Sequence, residues 1–220
     1  MAALADPITV NNSSFEISPG PFSNPCGVGC SFSTGAITDW NETNPSNSGQ
    51  FIPGTQVGNF TFFSTIPDGI TIAYSNGGTI SQTVGATVEA GVVYTMQVDL
   101  GLANNLGFTG SADLLVNGTQ YVATDAIPAP GTFSVYTATY TGLAADVGDP
   151  ITIELNSVGT QGDFDNVQLS DNLVSVVPAP VIGHGLPGVL AIGGVLFGAT
   201  LLQRGKKRRS LRSAIRHAAA

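Results

Sequence analysis

Between positions 8 and 169 the chain advances in short runs whose apolar residues fall on every second position. The clearest is 93–100, where Tyr94, Met96, Val98 and Leu100 alternate with Thr95, Gln97 and Asp99. Alternation of this kind sends one set of side chains to each face of a β-strand. Similar runs occupy 70–75, 79–84, 112–116, 121–124, 133–141, 151–156 and 166–169. Asn117-Gly118, between two of them, is a two-residue hairpin signal, and Asn76-Gly77-Gly78 is another turn. Ahead of the C-terminal segment no window sustains a 3.6-residue period. About ten strands, each with one polar face, require two packed antiparallel sheets. The expected fold class is all-β, an antiparallel β-sandwich of jelly-roll type.

Charge divides the chain sharply. All fifteen Asp and Glu lie at or before Asp171, and all seven basic residues (Arg204, Lys206, Lys207, Arg208, Arg209, Arg212 and Arg216) follow position 203. A body without Lys or Arg cannot neutralise phosphate, which excludes nucleic acid as its partner. Both histidines, His184 and His217, sit near the C-terminus. The body therefore offers no imidazole base, no Schiff-base lysine and no His-ligated zinc. Carboxylates are its only acid/base chemistry.

The two ends read as address labels. Residues 1–5 end in Ala3-Leu4-Ala5, a small-x-small cleavage pattern, so they are taken as a signal-peptide remnant with Asp6-Pro7 opening the mature chain. Residues 181–203 are mostly apolar with His184 as their only titratable group, and 22 of them as a helix span about 33 Å, enough for a hydrocarbon core. The basic cluster follows at once, which marks 204–220 as a cytoplasmic tail and 181–203 as a transmembrane helix. The expected organisation is thus a β-sandwich over 6–171, a linker over 172–180, the membrane helix and the basic tail.

Val177-Pro178-Ala179-Pro180, then Gly185-Leu186-Pro187-Gly188, the glycine-rich apolar segment and the basic cluster together resemble a PEP-CTERM sorting tail, with Ala179 where the family name has Glu. The resemblance implies export, retention in the inner membrane, and cleavage near Pro178–Pro180 by an exosortase-type enzyme. The mature protein would then reside at the cell surface or outside the cell.

The body carries a second resemblance. Asn11-Asn12-Ser13-Ser14-Phe15-Glu16, Thr38-Asp39-Trp40, the stretch from Tyr74 to Gln82 ahead of a Val-Tyr-Thr strand, and Asp163-Phe164-Asp165-Asn166-Val167 resemble carbohydrate-binding-module-like, galactose-binding-like jelly rolls. In that family the first and last strands pair and a structural calcium often sits between them, with Glu16 and Asp165 at matching positions. Asp163 and Asp165, two apart on a strand, would face the same side. Glu16, Asp163 and Asp165 are therefore the calcium candidates; solvated edge residues are the alternative.

Cys26 and Cys30 enclose Gly-Val-Gly, and export favours a small disulfide-closed loop over a metal site that two thiols alone cannot build. Trp40, the single Trp, could serve as a sugar-stacking platform, but packing at the sandwich edge is the preferred reading. No acid falls in a recognisable catalytic motif. The leading functional expectation is therefore a non-enzymatic surface or matrix protein with a glycan-binding sandwich and extracellular polysaccharide as partner. The alternatives are a small carboxylate-dependent glycoside-active enzyme and a purely structural matrix subunit.

Overall fold

A computed structural model describes residues 5–56 and 60–173. The sorting motif at Val177, Pro178, Ala179 and Pro180, the span 181–203, the basic tail and most of the signal remnant lie outside the described residues. Fifteen strands follow one another: β1 (Asp6–Ile8), β2 (Asn24–Val28), β3 (Cys30–Thr34), β4 (Asn41–Glu42), β5 (Ser48–Ile52), β6 (Thr55–Gln56), β7 (Phe60–Thr61), β8 (Ile72–Ser75), β9 (Gly78–Thr87), β10 (Val92–Leu102), β11 (Gly110–Val116), β12 (Thr119–Val122), β13 (Thr132–Thr141), β14 (Pro150–Ser157) and β15 (Gly162–Leu173). The larger sheet runs β13-β10-β15-β8-β5-β3-β2-β6-β7, with β1 added beside β15, and the smaller runs β12-β11-β14-β9-β4. Every pairing is antiparallel. The architecture is an all-β sandwich, and among the described residues the one helical turn is the short 3-10 segment Ala144–Asp146.

Alternation explains the packing between the sheets. Leu114, Ile153 and Leu155 on the smaller sheet meet Tyr94, Met96, Leu100 and Phe164 on the larger, all of them buried. The hairpin at Asn117-Gly118 forms between β11 and β12, with φ of 48° and 73°. Such left-handed values suit Asn-Gly and match the twist of the flanking strands.

The larger sheet is covered on its outer side as well. On β8, Ala73 joins the inter-sheet core while its neighbours Ile72 and Tyr74 join a second cluster with Cys30, Phe51, Phe62 and Phe63. Neighbours on a strand point to opposite faces, so this second cluster lies on the sheet's far side. Phe62, Phe63 and Ile66 of the connection between β7 and β8 pack into it beside Phe51 and Tyr74 of the sheet's own strands.

Two expectations need correction here. The first and last strands do pair, with Asp6 opposite Asp171 and Ile8 opposite Leu169, but the first strand is β1 rather than the 11–16 stretch. Residues 11–14 turn instead: Asn12 and Phe15 take φ of 47° and 58°, and the Phe15 amide donates to the Asn12 carbonyl at 3.1 Å. The Asn12 side chain accepts from the Ile17 amide at 2.9 Å, a local bond that competes with extension. Glu16 therefore stands in a loop.

Candidate functional site

β15 carries the chemistry because it is shared by two environments. Phe164 points into the inter-sheet core, so Asp163 and Asp165 on either side of it point to the outer face. Asp163 lies opposite Tyr74 of β8 and Gly101 of β10, and Asp165 lies opposite Asp99. A Cβ at Gly101 would come within 2.7 Å of the Phe133 ring and 3.0 Å of the Asp163 Cβ. The missing side chain thus lets an aromatic ring lie beside the acid. Past Asp165 the pairing of β10 with β15 shifts, and Asn166 adopts φ 47° in this bulge.

The two acids are both buried, and they are held differently. Asp163 is 1% exposed and accepts one hydrogen bond, from the Gln161 amide nitrogen to Oδ1 at 2.7 Å. Its Oδ2 accepts none from a described residue. Burial pushes the Asp163 carboxyl up to about 7, against the smaller opposing pull of the Gln161 bond. Asp165 accepts backbone amides on both oxygens, from Asp68 at 2.9 Å and from Asn166 at 2.7 Å. Burial also raises it to about 7; those two amides oppose the rise, and the charges of Asp68 and Asp99 add to it.

In front of Asp163 the outer cluster leaves a cleft of about 320 Å³, lined by Phe32, Phe51, Phe62, Tyr74, Leu106 and Gln161 among others. Phe51 meets Phe62 and Tyr74 edge-on at 5.8 Å, and Phe32 meets Tyr74 edge-on at 6.4 Å. The Tyr74 hydroxyl pairs with Thr34 at 2.9 Å and donates to the Ser33 carbonyl at 3.2 Å, which fixes the ring. Because Gln161 lines the cleft and donates to Asp163, the acid sits one hydrogen bond from the cleft wall. An aromatic cleft backed by a carboxyl that is protonated near neutrality can deliver a proton to an apolar ligand. Its ring faces can stabilise positive charge formed there.

The residues singled out in the sequence are placed as follows. Cys26 and Cys30 form a disulfide across the β2–β3 hairpin, and Cys26 lines the cleft. Trp40 is buried in the inter-sheet core beside Phe15, its indole nitrogen donating to the Asn12 carbonyl at 3.2 Å. Glu16 and Asp165 both reach the 68–71 segment: Glu16 Oε1 accepts the amides of Ile70 and Thr71 at 2.8 and 2.7 Å. Asp163 is engaged separately with Gln161, and among the described residues no three His, Cys, Asp or Glu gather as a metal set. Sequence reasoning missed Phe32, Phe51, Phe62 and Gln161, which come from distant segments. Tyr74 stood in a quoted stretch but without a role.

Comparison with known proteins bears on this cleft. Residues 6–170 match the family described as HpiC1-like, HpiC1 cyclase. The cyclase FisC from Fischerella sp. TAU, solved in complex with (3Z)-3-(1-methyl-2-pyrrolidinylidene)-3H-indole, is 19% identical with a TM-score of 0.63, covering 77% of this chain and 99% of its own. A cyclase from the same organism in complex with 4-(1H-indol-3-yl)butan-2-one is 20% identical with a TM-score of 0.60, covering 76% of this chain and 98% of its own. At these identities the likeness shows a shared fold. The xylan-binding CBM22-1 domain of Paenibacillus barcinonensis Xyn10C also aligns, at 12% identity and a TM-score of 0.46, over 78% of this chain and 98% of its own. No curated protein matches the chain at the sequence level. The family match overturns the non-enzymatic expectation: it points to a cyclase enzyme. That expectation rested on the absence of His, Lys and Arg and of an acid in a recognisable catalytic motif, but a carboxyl raised by burial can move protons without either.

Proposed function

The chain belongs to the HpiC1-like cyclase family, and we propose that its outer-face cleft catalyses an acid-initiated cyclisation of a small, flat, apolar substrate with an indole-like ring. The observation that carries this reading is the cleft of aromatic rings with the buried acid Asp163 one hydrogen bond behind its wall, through Gln161. Asp163 donates its proton to an unsaturated bond of the substrate, which becomes a cation. The faces of Phe51, Phe62 and Tyr74 hold that charge while the ring closes. Loss of a proton from the cyclised cation to the Asp163 carboxylate restores the acid, so the product is an isomer of the substrate. The aromatic walls keep water from trapping the cation.

Calcium has a structural place in this proposal and no catalytic one. Glu16 and Asp165 are its candidate ligands, because both reach the 68–71 segment and the body supplies no basic side chain to neutralise them. The tail supports export, membrane retention and exosortase-type release by its sequence order alone.

The test is turnover by the full chain of indoles bearing an unsaturated side chain. The expected product has the substrate's mass and a different retention time. Asp163→Asn should lower the rate by about 100-fold or more. An undiminished rate in that variant would overturn the assignment.

A further inference from the structure

The cleft has two kinds of wall. One part of its lining is carbon and sulfur, from Phe32, Phe51, Phe62 and Cys26, with the Thr34, Tyr74 and Gln161 side chains beside them. Its mouth carries side-chain amides delivered by separate connections: Asn47 ahead of β5, Asn76 after β8 and Asn105 after β10. The Asn76 amide nitrogen of the backbone donates to the Asn47 carbonyl at 2.8 Å, which ties two of these connections together. The side chains of Asn76 and Asn105 are exposed and make no hydrogen bond to a described residue. Among the described residues no charged side chain lines the cleft, in a body that carries all fifteen of the chain's acids.

We propose that Asn76 and Asn105 are specificity-determining residues, which select an uncharged ligand bearing a carbonyl or hydroxyl group at the end opposite its apolar ring. The proposal rests on the reading of the cleft as the cyclase site. A side-chain amide both donates and accepts, so it satisfies a neutral polar group of either kind. A carboxylate at the mouth would meet no cation and would be repelled by the acidic body. An ammonium group would find no carboxylate in the lining. A buried ring with a neutral polar end is what this division of walls fits, because binding leaves neither the amides nor the polar end unpaired.

The test compares three probes by calorimetry on the full chain: 3-methylindole, 4-(1H-indol-3-yl)butan-2-one and indole-3-butanoate. The ketone should bind about five- to tenfold tighter than 3-methylindole, the advantage of one or two hydrogen bonds, and the butanoate should bind more weakly than the ketone. Asn76→Ala with Asn105→Ala should erase the ketone's advantage and leave 3-methylindole unchanged, with the melting temperature unaltered because both positions are exposed. Equal binding of ketone and 3-methylindole by the native chain would overturn the proposal. So would a double variant that keeps the difference. If 3-methylindole itself fails to bind, the reading of the cleft falls and the proposal with it.

Discussion

The two faces of the larger sheet are built to different rules. Its inner face meets another sheet, so apolar side chains from both sides close on each other and the chemistry there is packing. Its outer face is met by loop residues such as Phe62, Phe63 and Leu106, which pack with the sheet's own Phe51 and Tyr74 but leave a cleft and two buried acids. β15 borders both, with Phe164 inward and Asp163 and Asp165 outward. A sandwich can thus gain a reactive group without weakening its core, provided the group is placed on the outer face.

The largest effect should separate the faces outright. Phe164→Ala leaves a cavity between the sheets and should cost about 3–5 kcal/mol, whereas Phe62→Ala beside the open cleft should cost about 1–2 kcal/mol. Chemical denaturation measures both, and equal costs would erase the distinction. The two acids offer a finer comparison. Asp165→Ala strands the backbone amides of Asp68 and Asn166 and should cost about 2–4 kcal/mol at pH 5, read from the same denaturation curves, and less as pH rises through 7. Calcium added to about a hundredfold excess over its dissociation constant should stabilise the fold by about 2.7 kcal/mol, seen as a higher melting temperature that falls on chelation. Glu16→Gln should remove most of that shift.

Asp163 is held by one hydrogen bond where Asp165 is held by two, and burial raises both. A carboxyl held near 7 in the fold and near about 3.9 in the unfolded chain contributes stability below the lower value and loses it as pH rises through the upper. The melting temperature should therefore fall between pH 5 and pH 8. Asp163→Asn should flatten that fall and gain about 1–2 kcal/mol at pH 8, since it loses only the bond from Gln161. A pH profile unchanged by the substitution would place the proton elsewhere.

How much of this was legible in the sequence follows from distance along the chain. The strands from β9 onward announce themselves by alternation, because each has one face in the inter-sheet core and one that is mostly polar. β2 to β7 do not, being two to five residues long and broken by Gly and Pro. β5 is buried from Ser48 to Phe51 without alternating, since both of its faces are covered. The Asp-Phe-Asp spacing showed correctly that Asp163 and Asp165 share a face. What it could not show is that Phe51 and Tyr74, about a hundred residues earlier, would wall off Asp163 and make it an acid. Local pattern carries face and period; the environment of a buried carboxyl is set by contacts between distant segments.

The central claim is that the ligand site is the outer-face cleft in front of Asp163. A crystal structure of the full chain grown with 4-(1H-indol-3-yl)butan-2-one tests it most directly. The account predicts the indole ring between Phe51, Phe62 and Tyr74, with the ketone toward Asn76 and Asn105. Density for the ligand anywhere else, such as the groove between β1 and the 95–97 stretch of β10, with this cleft empty, would contradict it.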